Sequence, residues 1–344
     1  MRGARTRSSS PPTHTAAKQG ATSAPARFER SILEDVARKV IARQHSSAGL
    51  LPQPLGASYG FSGVTSRKRA NRTPRTNMSR TLAGITDLLR QLAPLEWAEP
   101  WDNVGLIIEP KVRPIAKVFL TIDLTEETLL EAKSTSADLI VAYHPPIFSG
   151  LKRITQKAPL ERIVIDAIRS DIAVYSPHTA LDAAPNGMND WLAQALGEGT
   201  LAPIVPLPNA PPAVGMGRAV ELTRPAVLND ILCSIKQHLG LSQLRIAAAP
   251  DHKRGMPIQR AAVCAGAGGS IFEKCGHVDL LLTGEMRHHD ILARVAAGTT
   301  VILTDHTNTE RGYLPYLAEV LRRGLGGDVE IVISQTDRDP LVIG

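Results

Sequence analysis

The stretch Thr304-Asp305-His306-Thr307-Asn308-Thr309-Glu310-Arg311 sets an imidazole and a carboxylate four residues apart, directly after the apolar run Thr300-Val301-Ile302-Leu303. Three other places put histidines or acids behind an apolar run. They are Tyr143-His144 after Leu139-Ile140-Val141-Ala142, His178 with Asp182 after Ile172-Ala173-Val174-Tyr175, and Glu285 with His288-His289 after Leu280-Leu281-Leu282-Thr283. Each residue alone has an ordinary reading as a hydrogen-bonded surface group or, for Glu310, as an acid favoured at a helix start. Their recurrence at the carboxyl ends of strands, where α/β sheets gather ligands, makes a metal site the competing reading. Imidazole and carboxylate without thiolate suit Zn, Fe, Mn, Co or Ni and do not choose among them. A bridging carboxylate would let the set hold two ions, an arrangement that activates water for hydrolysis. Pro315 limits the geometry: it disfavours helix at Leu314, and if the helix starts only near there His306 and Glu310 are loop neighbours without helical i,i+4 alignment.

A second feature is the turn Gly266-Ala267-Gly268-Gly269-Ser270, between a strand and a short helix. Gly266, Gly268, Gly269 and Ser270 could offer backbone N–H groups to a phosphate or substrate anion. The turn is neither a P-loop nor a full GxGxxG, so a plain tight turn is the alternative.

The elements that must position these groups alternate. Strands are expected at Leu106–Ile108, Val118–Ile122, Leu139–Ala142, Ile172–Tyr175, 213–220, Gln243–Ala248, Ala261–Cys264, Leu280–Thr283, Thr300–Leu303 and Val329–Ile333, with helices at three- and four-residue apolar spacing between most of them. This pattern is an α/β fold, and the continuous Val/Ile/Leu runs read as strands buried on both faces. The proline-rich stretch 201–212 reads as an exposed crossover between a first lobe, 78–200, and a second lobe, 213–344.

Composition narrows the functional classes. Before Met78 the chain carries 14 Lys and Arg against 3 Asp and Glu, whereas the rest carries 25 against 30. The basic character therefore belongs to residues 1–77, and the body is mildly acidic, which argues against a nucleic-acid-coating surface. The leader is read as disordered apart from an amphipathic stretch at 31–44. It is either a targeting segment (organellar or nuclear) or an extension ahead of a working start at Met78. No apolar run is long enough to span a bilayer. Three cysteines without a CxxC pair give no disulfide framework and read as small buried hydrophobes.

Taken in order, Trp101-Asp102-Asn103-Val104-Gly105-Leu106, Tyr143-His144-Pro145-Pro146-Ile147-Phe148, His178-Thr179-Ala180-Leu181-Asp182, the glycine turn, Thr283-Gly284-Glu285-Met286 and Asp305-His306 with Thr309-Glu310-Arg311 resemble the NGG-interacting-factor-three-like family. That family includes the GTP cyclohydrolase I type 2-like proteins. The resemblance covers nearly all of 79–344 and leaves out the basic leader. It implies two related α/β lobes around a central dinuclear metal site, in a homohexamer built as a trimer of dimers. By motif match the metal ligands would be His144, Asp182, His306 and Glu310, holding one or two divalent ions. Tyr143 is a departure, since many bacterial relatives have a second histidine there. The reading adopted is a metal-dependent hydrolase of this kind acting on a nucleotide or other phosphate-bearing substrate, and within it His178 or His289 is the candidate for proton transfer. The rival is a non-enzymatic, metal-binding regulatory protein acting through protein partners. The expected location is cytoplasmic, or mitochondrial or nuclear through the leader.

Overall fold

The structure, a computed structural model, describes residues 80–342 other than Val112. The expectations for the leader lie outside the described residues. In chain order the elements are α1 (Leu82–Leu92), β1 (Gly105–Ile108), β2 (Lys117–Thr121), α2 (Glu126–Ser134), β3 (Leu139–Ala142), α3 (Pro159–Arg169), β4 (Ala173–Ser176), α4 (His178–Ala183) and α5 (Met188–Ala193). They continue with β5 (Gly199–Pro206), β6 (Gly215–Ala226), α6 (Leu228–Leu239), β7 (Arg245–Ala247), α7 (Pro250–Lys253), β8 (Ile258–Cys264) and α8 (Gly269–Phe272). The last are β9 (Leu280–Thr283), α9 (His288–Ala296), β10 (Thr300–Leu303), α10 (Leu314–Leu325) and β11 (Glu330–Ile333).

Helix starts follow local chemistry. The Thr81 hydroxyl accepts from the Gly84 N–H at the head of α1, and Thr125 with Thr128 forms a reciprocal capping box at the head of α2. Where a helix must stop and the chain must turn sharply, α6 and α10 end on the left-handed glycines Gly240 and Gly326.

The strands build two sheets. The first has order β1-β4-β3-β2-β11 and the second β5-β6-β8-β9-β10-β7. Each has a parallel centre: β4-β3-β2-β11 in one and β8-β9-β10 in the other. Antiparallel strands flank these, β1 in the first sheet and β5-β6 and β7 in the second. Alternate residues face opposite sides. Val118, Leu120, Leu139, Val141 and Tyr175 of the first sheet and Val220, Val263, Leu280, Leu282 and Ile302 of the second enter one shared core, closed by α1, α6 and α10. The intervening residues face outward under helical cover: Phe119, Ile140 and Val174 beneath α2 and α3, and Ala262, Leu281 and Val301 beside Phe272 of α8 and Ile291 of α9. Burial on both faces explains the continuous apolar runs.

Three expectations are corrected. Residues 199–206 are not an open crossover but the strand β5, paired antiparallel with β6. Its prolines are tolerated because β5 is an edge strand, where a missing N–H costs no ladder bond. The segment 213–344 does not remain in the second lobe either. Strand β11 pairs in parallel with β2, Ile331 against Val118, so the C-terminus completes the first sheet. Its apolar residues serve both faces there, Ile331 in the shared core and Val332 on the outer face. Finally, Cys264 is buried but Cys233 is exposed, because α6 buries Leu228, Ile231 and Ile235 on its other side.

One buried cation ties the lobes together. Arg218 of β6 is 1% exposed. It pairs through Nε with Asp190 of α5 and donates to the carbonyls of Gly215 (2.6 Å), Gly217 (2.7 Å) and Ala184 (3.1 Å). Truncation would leave Asp190 without its cationic partner, with only the Asn186 N–H still donating to it, and would take the guanidinium from the Gly215, Gly217 and Ala184 carbonyls. Arg218→Ala is therefore expected to lower unfolding free energy by about 3–5 kcal/mol in a urea titration; a loss below about 1 kcal/mol would show that the clamp is dispensable.

Candidate metal centre

The carboxyl ends of the two parallel centres meet, and the meeting point holds the polar groups. His144 follows β3, His306 and Glu310 follow β10, and one ligand atom from each lies within 4.8 Å of the others. Glu310 is the pivot, its side chain 2% exposed. Its Oε1 is 3.5 Å from His306 Nε2 and its Oε2 is 3.5 Å from His144 Nε2. Oε2 is buried and has no hydrogen-bond partner. A buried carboxylate oxygen left unpaired between two imidazoles is costly unless a cation completes it. These three residues therefore fit a divalent ion, and they could hold one.

The local backbone explains how a loop achieves this. Helix α10 begins at Leu314, which takes helical backbone although Pro315 follows it, and residues 307–309 form one short turn. His306 and Glu310 are loop neighbours. Asp305 takes a left-handed φ of 66°, a conformation that aspartate enters more readily than most non-glycine residues. The fully buried Thr309 fixes the turn: its Oγ1 donates to the His306 carbonyl (2.7 Å) and accepts from the Gly266 N–H (2.8 Å). Gly266 has φ +62°, and a Cβ there would lie 2.8 Å from His306 Nε2 and 3.0 Å from Glu310 Oε1. Gly284 is equally confined, its Cβ position falling 2.7 Å from the His306 Cα.

The outer contacts orient the ligands. His144 Nδ1 lies 2.9 Å from Asp123 Oδ1, and His306 Nδ1 lies 3.3 Å from Glu285 Oε1. An imidazole anchored to a carboxylate through one nitrogen presents the other to a metal. Burial alone would lower the His144 pKa, but the Asp123 hydrogen bond and the Glu310 carboxylate outweigh it and push it up to about 10. Without an ion, the proton thus takes the cation's place. An entering ion must expel it, so metal uptake is favoured as pH rises from the free-imidazole range towards 10. Asp123 is disfavoured as an anion by burial, yet His144 holds its carboxyl below the usual range.

Asp182 is placed differently from the other predicted ligands. It lies on α4, and its Oδ1 accepts from the Tyr143 hydroxyl at 2.7 Å. Burial pushes its carboxyl up to about 6, with Glu310 adding to the rise. Burial and the charges of Asp182 and Glu310 raise the Tyr143 phenol well above its ordinary value. Cys264 nearby is also pushed up, chiefly by burial.

His178 joins the site; its ring is 5.2 Å from that of His144. Its Nδ1 is 2.8 Å from Asp102 Oδ1. The Thr179 N–H and hydroxyl both donate to Asp102 Oδ2. These bonds hold the Asp102 carboxyl below the usual range despite its burial. His289 sits on α9, exposed, with its ring against His288. In the glycine turn, the N–H groups of Gly266 and Gly268 are taken by Thr309 and Thr283, leaving Gly269 and Ser270 at the start of a four-residue helix. The turn's visible role is close approach to the ligands.

Asp123 was not among the residues singled out from sequence, although an acid just past β2 obeys the same strand-end rule; it reads there as the run-up to the Thr125 cap. Asp337 was also missed. It accepts from Arg311 Nη2 (2.9 Å) and the Ile122 N–H (2.7 Å), tying the segment after β11 to both halves of the centre. Only the return of β11 to the first sheet reveals this.

A two-lobe α/β fold with a His/Glu group between its sheets defines the class, and the comparisons define the family. A family model described as Duf34/NIF3 (NGG1p interacting factor 3) matches residues 80–340. "NIF3-like protein 1" of Drosophila melanogaster is 41% identical over 272 residues, covering 79% of this chain and 92% of the relative. "NGG1-interacting factor 3" of Saccharomyces cerevisiae is 37% identical over 284 residues, covering 76% and 98%. A crystal structure of a Bacillus cereus protein related to NIF3 shares the fold, with a TM-score of 0.69 at 20% identity, covering 77% of this chain and 99% of that one. The chain belongs to the NIF3 family.

The Gly266 contacts generate a test. Gly266→Ala should weaken zinc binding at least about tenfold, in the range of damage done by disturbing outer-shell contacts. Gly269→Ala, where an added Cβ meets nothing within 4 Å, should leave it unchanged. Equal affinities, measured by competition with a chromophoric chelator, would contradict this geometry.

Proposed function

We propose that the protein is a metal-dependent hydrolase whose centre is built on His144, His306 and Glu310 and which acts on a nucleotide or other phosphate-bearing substrate. The observation that carries this reading is the Asp102–His178 pair standing beside that centre. Asp102 fixes the proton on His178 Nδ1 and leaves Nε2 as the nitrogen free to take or give one. An imidazole oriented in this way is a general base or acid. A divalent ion, when bound, supplies Lewis acidity and lowers the pKa of a water molecule.

The chain's own groups supply the rest. Trp101 and Phe148 are about half exposed and lie 5.7 Å apart, each with its ring near His178 (6.1 and 6.4 Å). This rim offers an aromatic face on which a base or other flat ring can stack. His289, exposed on α9, remains the second candidate for proton transfer, and Gly269 and Ser270 the remaining candidates for an anion seat. The assembly we infer is a homohexamer, as the resemblance implies, acting in the cytoplasm or in an organelle reached through the leader. No helix among the described residues is long and apolar enough to cross a membrane.

A second reading has its own support. The yeast relative's name makes it an interacting factor, which favours a metal-binding regulator working through a protein partner. The two readings separate in a screen of zinc- and manganese-loaded full-length protein against nucleotides, phosphoesters and cyclic amides. The hydrolase reading expects metal-dependent turnover that falls about 10²–10⁴-fold in His178→Ala. It also expects a smaller fall in Asp102→Asn. Bound metal with no turnover on any substrate would favour the regulator, and turnover untouched in His178→Ala would remove the proton-transfer role.

A further inference from the structure

One hydrogen bond beside the ligands distinguishes the two oxygens of Asp182. Its Oδ1 accepts from the Tyr143 hydroxyl at 2.7 Å, and no hydrogen bond among the described residues reaches its Oδ2. His178, Glu310 and His144 are near enough for their charges to act on this carboxylate. Oδ2 is the oxygen left open to an ion that Asp182 would share with them.

Both ends of the contact are fixed. Tyr143 is 3% exposed and belongs to the shared core. Its N–H donates to the Thr121 carbonyl at 2.9 Å, and its own carbonyl accepts from the Ser176 hydroxyl at 2.7 Å. Its ring lies against those of His144 and His178, with centroids 5.0 and 5.5 Å away. On the other side the buried Asn189 donates through Nδ2 to the Asp182 carbonyl (3.1 Å), and its Oδ1 accepts from the Ala265 N–H (2.9 Å). Asp182 is therefore braced between Tyr143, just past β3, and the residue before Gly266, the glycine that closes on His306 and Glu310.

A carboxylate at the end of its side chain otherwise turns about a broad, two-fold torsion. A donor set in the core removes that freedom. The hydroxyl proton lies between two oxygens 2.7 Å apart, so Tyr143 serves as a donor to Asp182. A phenol used in this way is not also a phenolate ligand.

We propose that Tyr143 is a positioning residue of the metal centre: its hydroxyl holds Oδ1 of Asp182 and so presents Oδ2 as the ligating oxygen. Phenylalanine at 143 would keep the ring in the core and delete only the donor. Asp182 would then be free to turn, with a buried acceptor left unpaired.

Tyr143 has this role only if the metal-centre reading holds, and the two fail differently. Zinc affinity of full-length protein is measured by competition with a chromophoric chelator in native, Tyr143→Phe, Asp182→Ala and doubly substituted forms. Tyr143→Phe should weaken zinc binding about 10- to 100-fold, and Asp182→Ala at least as much. The double variant should bind no worse than Asp182→Ala, because a residue that acts through Asp182 has nothing to position once that side chain is gone. Unchanged affinity in Tyr143→Phe would overturn the inference. So would a full further loss in the double variant, the mark of a merely structural part. Unchanged affinity in Asp182→Ala would overturn the inference and leave His144, His306 and Glu310 as the centre, whereas no zinc in the native protein would remove the centre as well. A second readout needs no variant. Native protein loaded with ferric iron should lack a visible phenolate-to-iron charge-transfer band, and such a band would make Tyr143 itself a ligand and overturn the positioning role.

Discussion

The constraint on which the structure depends is a buried carboxylate that must be held between two imidazoles from different sheets. Glu310 is 1% exposed, and its Oε2 has no hydrogen-bond partner. Leaving such a group in a low-dielectric interior is unfavourable unless positive charge is brought to it. Metal-free, the raised pKa of His144 supplies that charge as a proton. Occupied, an ion supplies it. The surrounding architecture serves to make this electrostatic demand tolerable.

Close packing then follows as a consequence. The loop after β10 bends through the left-handed Asp305, is cross-braced by Thr309, and is approached by Gly266 and Gly284 because no Cβ fits between them and the ligands. Asp337 reaches in from the returning C-terminal segment and joins Arg311 to the backbone at Ile122, one residue before Asp123. The chain therefore crosses between lobes at its end, and a centre shared by two sheets is braced from both. Coupling of this kind is a physical reason for α10 and β11 to leave the second sheet.

Much of this was legible in the sequence because strand ends advertise themselves. His144, His178, Glu285, His306 and Glu310 each follow a continuous apolar run, and strands buried on both faces are easily read. Three kinds of feature were not legible. Strand pairing between distant segments cannot be read from periodicity, so β11 was placed with the wrong sheet and β5, written in prolines, looked like a linker. Outer-shell partners such as Asp123 and Asp337 follow only from the pairing. And a motif match marks Asp182 as a ligand without showing that its Oδ1 accepts from the Tyr143 hydroxyl. The Asp102–His178 pair was half visible: both residues stood in noted motifs, but a separation of 76 positions conceals the contact.

The most direct test of the centre is X-ray absorption spectroscopy at the zinc edge of the loaded full-length protein. The account predicts a shell of nitrogen and oxygen alone at about 2.0–2.2 Å, with the multiple-scattering signature of two imidazoles falling to one in His306→Ala if the variant retains metal. A sulfur shell near about 2.3 Å, or a native spectrum with no imidazole signature, would contradict it.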